Sequence, residues 1–152
     1  MSYSRWILAA LHLLALGIGL GAIWWRARAL GNELDEEHLK RLFYADNLWG
    51  IAAVLWIVTG LLRAFAGFEK GSDYYLNNSA FLIKMGLLGI ILLLEIWPAS
   101  TFVRWRIQRG RGQAIDIDSG RTSLFATISM IQALLVVLMV FAATAMARGF
   151  GS

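Results

Sequence analysis

Four runs of apolar residues, each about twenty long, constrain this chain more than any other feature. An α-helix rising ~1.5 Å per residue needs about 20 residues to cross a ~30 Å hydrocarbon layer. Lipid accepts a backbone only when its N–H and C=O groups are satisfied within the structure itself. The runs cover about 6–25, 47–65, 79–102 and 124–147, so the expected fold is all-α, an integral membrane four-helix bundle forming one domain over residues 1–152. Hydrophobic residues make up 59% of the chain and charged residues 16%, which excludes a soluble globular, a disordered or a collagen-like class. Cysteine is absent, so disulfides, iron–sulfur clusters, thiolate metal sites and covalent haem attachment are excluded as well.

Orientation follows from the positive charges, because cytoplasmic connections hold the excess of Lys and Arg. The first and third connections carry nine: Arg26, Arg28, Lys40 and Arg41, then Arg104, Arg106, Arg109, Arg111 and Arg121. The opposite side carries three: Arg5, Lys70 and Arg148. Both termini are therefore expected outside, on the periplasmic side of an inner membrane crossed several times. Aromatic residues cluster at the same boundaries, among them Tyr3, Trp6, Phe68, Tyr74 and Tyr75 outside and Trp24, Trp25, Tyr44 and Trp105 inside. The net charge of +4 points to anionic lipid headgroups at the cytoplasmic loops, and no basic–aromatic module suggests nucleic acid. Ala27-Arg28-Ala29 has the form of a cleavage site, but the apolar stretch before it is too long and the positive charge follows it, so the segment reads as a retained span.

Between the spans, Asp35 is placed to cap a helix starting near Glu36, with Leu34 and Leu39 at staple spacing. Residues 108–121 hold Gly110, Gly112 and Gly120 among charges and read as a flexible loop. Gly17 with Gly21, Gly19 between them, and Gly86 with Gly89 are expected to let helices approach closely.

Ionisable residues inside spans are the candidates for chemistry, since a mid-bilayer charge costs ~2.5–3.5 kcal/mol or more and usually faces protein or water. His12, Arg63 and Lys84 share the outer half and outline a polar pocket. Glu95 lies about three turns from Lys84 on the same face of the third span; it either pairs with Arg26, joined by Asp46, or handles a proton. His12, Gly19 and Arg26 repeat every seven residues, which makes a polar seam from outside to inside conceivable. The fourth span has Gln132 as its one strongly polar side chain. With two histidines, and His38 assigned to the opposite side, a three-His zinc site is excluded. A haem or copper ion on His12 would need an open position, a second ligand such as Met139, or His12 of another protomer, which would make a homo-oligomer.

These residues carry a resemblance. His12 to Gly19, Tyr44-Ala-Asp46-Asn-Leu-Trp49-Gly50, Gly60-Leu-Leu-Arg63, Tyr74-Tyr75-Leu-Asn77-Asn78, Phe81-Leu-Ile-Lys84 and Glu95-Ile-Trp-Pro98 resemble a bacterial family of four-span membrane proteins designated as a domain of unknown function. More distantly, the chain is similar to the haem-containing bacterial protoporphyrinogen oxidase family and to copper-resistance membrane proteins. That similarity implies haem b on His12, with Lys84 and Arg63 near cofactor or substrate carboxylates. Glu95 and Pro98 stand where the oxidase pattern has a further histidine, so the oxidase reaction is not implied. The expectation is a redox membrane protein with an anionic cofactor in the outer-half pocket. The alternatives are a small transporter or proton-coupled unit using Glu95, and a structural or assembly subunit without catalysis.

Overall fold

A computed structural model describes residues 3–66 and 72–150. Phe68 and Lys70, counted above on the outer side, lie outside these residues. Helix α1 runs over Tyr3–Leu30, α2 over Glu36–Phe65, a short α3 over Ser72–Leu76, α4 over Ser79–Gly110 and α5 over Ser119–Ala147. Four of these are long and apolar enough to cross a membrane. Their outward faces carry Leu13, Leu14, Ile51, Val54, Leu55, Leu93, Ile96 and Phe141, all exposed, as expected of helices whose solvent is hydrocarbon.

Every long helix outruns its apolar run at one end or both, and side-chain caps start three of them. Asp35 accepts from the His38 backbone N–H at 2.8 Å and starts α2, while Leu34 and Leu39 meet in one apolar cluster, the expected staple. Asn78 caps α4 by accepting from the Phe81 N–H, and Asp118 caps α5 by accepting from Gly120 and Arg121. The segment read as a flexible loop, residues 108–121, is helical at its two ends and a connection over 111–118. α4 continues to Gly110, then Gly112 takes φ +66° and a Schellman pair closes the end, Gly112 N–H to the Arg109 carbonyl at 3.1 Å and Gln113 N–H to that of Gln108 at 2.9 Å. Arg104, Arg106 and Arg109 are thus helical residues, not loop charges.

The helices pack in the spatial order α2, α1, α5, α4, with α3 closing one end against α2 and α4. Consecutive long helices run antiparallel, so both termini share one end, the terminal end; the two connections 31–35 and 111–118 share the other, the loop end. α2 and α4 complete the ring without close packing, leaving a cleft between them. One apolar cluster, including Ala22, Ile23, Trp49, Trp56, Ile91, Val136 and Met139, fills the middle. A second, around Leu42, Phe102, Trp105 and Phe125, fills the loop end.

The glycines divide differently from the sequence expectation. A Cβ on Gly17, Gly21, Gly86 or Gly89 would meet nothing within 4 Å, so none of these is a packing glycine. Gly19 and Gly60 are: a Cβ on Gly19 would lie 3.4 Å from that of Ala52, and one on Gly60 would lie 3.1 Å from His12 Cε1.

Candidate functional site

Two polar centres lie inside the bundle, at different depths. The one toward the loop end is built on Arg26, whose side chain is fully buried. A guanidinium has five N–H donors in a fixed planar fork, and here each has an acceptor. Nε donates to Ser129 Oγ at 3.1 Å; Nη1 donates to Asp46 Oδ1 at 2.9 Å and Glu95 Oε1 at 2.7 Å; Nη2 donates to Glu95 Oε2 and Gln132 Oε1, both at 2.8 Å. The acceptors are satisfied in turn. Gln132 Nε2 donates to Glu95 Oε2 at 2.8 Å and to the Ile91 carbonyl at 3.2 Å, and Ser129 Oγ donates to the Phe125 carbonyl. Arg106 adds the second cation, donating to Asp46 Oδ2 at 2.8 Å, Asn47 Oδ1 at 3.0 Å and the Phe43 carbonyl at 3.2 Å.

The four charges, Arg26, Arg106, Asp46 and Glu95, sum to zero, which is what a low-dielectric interior requires of ions that remain ionised. They come from α1, α2 and α4, and α5 supplies the neutral Ser129 and Gln132. One centre therefore ties together all four long helices. Trp49 and Phe102 present ring faces to Arg26 at 5.9 and 5.7 Å.

The second centre lies toward the terminal end. His12, Arg63 and Lys84, the three residues singled out in the sequence, line one cavity of about 410 Å³, together with Trp56, Gly60, Tyr74, Tyr75 and Met139. His12 is buried and stacks on Trp56 at 5.7 Å. Its Nδ1 lies 2.9 Å from Thr59 Oγ1. The Thr59 hydroxyl has a single proton. With it donated to the main chain, to the Leu55 carbonyl at 2.6 Å or to that of Trp56 at 3.1 Å, the hydroxyl accepts from an Nδ1–H, the tautomer that leaves the lone pair on Nε2.

Between these centres lies the apolar layer of Ala15, Ala22, Ile23, Trp49, Ala133, Val136 and Met139. The continuous polar seam that the His12, Gly19, Arg26 spacing made conceivable is thus interrupted. All three residues do face the interior, but Gly19 is filled over by Trp49 and Ala52. Of the two roles considered for Glu95, the geometry is that of the ion pair with Arg26, joined by Asp46. Sequence reasoning missed Arg106, Ser129 and Thr59 as partners. Arg106 follows Glu95 by eleven residues, about three helical turns, and that spacing was the available clue. Among the described residues, no group of three or more His, Asp or Glu side chains is arranged to hold a metal ion.

Fold and site define a four-span membrane protein held by a neutral buried ionic cluster, with a separate cation-rimmed cavity near the end that carries both termini. The chain belongs to the family described as predicted membrane protein (DUF2214), whose model matches residues 4–151. No curated protein and no solved structure matches it significantly.

Proposed function

We propose that this protein binds an anionic, largely apolar cofactor in the cavity at the terminal end, best matched by haem b, and serves in a redox role in a bacterial inner membrane with both termini periplasmic. The observation that carries the reading is the His12–Thr59 pair. A metal-bound imidazole usually donates its other ring N–H to a neighbouring oxygen, which fixes the tautomer and orients the ring, and Thr59 stands in that relation to Nδ1. The donor set also suits the cofactor. Arg63 and Lys84 supply positive charge for carboxylates, Trp56 and Met139 supply apolar wall, and the cavity volume is within the ~300–1,000 Å³ usual for cofactor sites.

In this reading, His12 would hold the haem iron, and Met139, on the neighbouring helix α5, would be a second side chain in the same cavity. The haem would supply one-electron chemistry; the protein would orient it, exclude water and set its potential through His12 and its Thr59 partner. Arg104, Arg109 and Arg111, at the loop end, are suited to anionic lipid headgroups of the cytoplasmic leaflet. A transport role through Glu95 has less support, because both of its oxygens are bound to Arg26.

An absorption spectrum of detergent-purified protein, produced with ample haem supply, tests the proposal. A Soret band is expected. His12→Ala abolishes it, while Thr59→Val lowers haem affinity about 10- to 100-fold, the usual effect of removing such a partner. Gly60→Ala, which crowds His12 Cε1, weakens haem retention without changing the spectrum's ligand class. Absence of the band, or its survival in His12→Ala, overturns the reading.

A further inference from the structure

The cleft between α2 and α4 is a second cavity, about 230 Å³, and its lining changes along its length. Gly50, Ala53 and Ile57 from α2 and Leu88, Leu92 and Val103 from α4 give it apolar walls. Gly50, Leu92 and Val103 are exposed, and a Cβ on Gly50 would meet nothing within 4 Å, so the space opens sideways toward lipid. At the loop end the lining becomes Asp46, Glu95 and Arg106. A molecule that fits this cleft is apolar along most of its length and polar at one end.

The hydrogen bonds fix the sign of the polar end. Every carboxylate oxygen there is taken: Arg26 donates to Asp46 Oδ1 and to both oxygens of Glu95, and Arg106 donates to Asp46 Oδ2. Arg106 itself is not satisfied in the same way. Its three acceptors all receive from Nη2, so among the described residues the N–H of Nε and both of Nη1 have no acceptor. The guanidinium is held 4.8 Å over the Phe43 ring, and the side chain is 30% exposed. What this end of the cleft still offers is donor capacity on a positioned cation, and the ligand that matches it is an anionic oxygen.

Depth identifies the carrier of that oxygen. Arg106 lies four residues beyond the apolar run 79–102, ~6 Å past its edge at ~1.5 Å per residue, within the ~5–8 Å headgroup layer on each side of the hydrocarbon. Along α2 the cleft runs from Asp46 to Ile57. That is ~16 Å of helix, about the ~15 Å depth of one leaflet's share of the hydrocarbon.

We propose that the α2–α4 cleft binds one glycerophospholipid from the leaflet at the loop end, its phosphodiester accepting from Arg106 and one acyl chain lying in the groove beside Gly50, Ala53 and Leu92. The lipid completes the ring of helices where α2 and α4 do not pack closely on each other. The site stands whether or not His12 holds haem.

The test uses the full chain, purified and delipidated in detergent, with dioleoyl phosphatidylglycerol as the probe and native mass spectrometry as the readout. One lipid per chain should bind saturably ahead of any others. Arg106→Gln removes the cation and should weaken that lipid about tenfold, the effect of one charge-assisted hydrogen bond. Gly50→Leu leaves the ionic cluster untouched, fills the groove and should abolish the bound lipid, so it decides the matter if Arg106→Gln does not fold. Gly86→Leu, at an equally open position on α4 outside the cleft, should bind as the parent does. Dioleoylglycerol, which has the chains without the phosphate, and inorganic phosphate, which has no chains, should each displace little of the probe. The proposal is overturned by the absence of a saturable lipid, by unchanged affinity in Arg106→Gln or Gly50→Leu, or by an equal loss in Gly86→Leu. Full displacement by dioleoylglycerol or phosphate at equal concentration, or a second copy of the chain bound in place of the lipid, overturns it as well.

Discussion

Replacing Arg26 by methionine keeps the length and apolar stem of the side chain and removes the fork that binds four helices. Counting its five hydrogen bonds at the ~1.5–3 kcal/mol usual for charged partners would give ~8–15 kcal/mol. That sum overstates the loss, since burying the guanidinium itself opposes folding. What decides the outcome is the charge left behind. Asp46 retains Arg106 at 2.8 Å, but Glu95 retains only the Gln132 amide, and the cluster passes from neutral to −1. Breaking a buried pair from one side costs ~3–5 kcal/mol. At about 2–4 °C per kcal/mol for a chain of this size, the melting temperature should fall by ~6–20 °C. Arg26→Lys should lie between, because an ammonium has three donors and cannot serve five acceptors arranged around a planar fork.

Thermal unfolding in a fixed detergent, followed by static scattering or a thiol-independent dye, provides the measurement. The double variant Arg26→Met with Glu95→Gln removes both charges and should recover much of the loss, so the two substitutions are strongly non-additive. Glu95→Leu alone should be as damaging as Arg26→Met, since it reverses the imbalance to +1. A melting temperature for Arg26→Met within about 2 °C of the parent, or simple additivity with Glu95→Gln, would refute the reasoning.

Three further outcomes follow from particular residues. A reporter inserted after Gly112 should be found in the cytoplasm and one fused after Phe150 in the periplasm, as the distribution of Lys and Arg requires; the reverse assignment would disprove the orientation. Gly112→Ala should destabilise by about 1 kcal/mol because its φ of +66° is unfavourable for a residue with a Cβ, whereas Gly17→Ala and Gly86→Ala, in open helical positions, should be neutral or stabilising by up to ~1 kcal/mol in unfolding measurements. The His38 backbone N–H, and then the His38 side chain, hold the Asp35 carboxyl below the ordinary carboxylate range. Its cap stabilises fully above the unfolded carboxyl pKa near ~4 and is lost as pH falls through the lower folded value, so acid titration of stability should flatten in Asp35→Asn.

Much of this protein was legible without coordinates, because the bilayer simplifies the problem. A span must be about twenty apolar residues long and must satisfy its own backbone, so hydropathy alone located four helices. Rare ionisable residues within those spans are costly in lipid and turn inward, which made His12, Arg26, Glu95, Arg63 and Lys84 stand out from composition and spacing. Asp35 was legible as a cap because its interaction is local. Tertiary structure decided what depends on the distance between helices. Gly19 and Gly60 pack while Gly17 and Gly21 do not, a choice of helix rotation that a shared small side chain cannot encode. Arg106 reads as a loop charge until α4 is seen to extend to Gly110 and carry it back to Asp46. The polar stripe on α1 is divided by side chains from α2 and α5, so two separate centres form where one seam seemed available. Periodicity determines which face of a helix turns inward, but only the packed neighbours determine what that face meets.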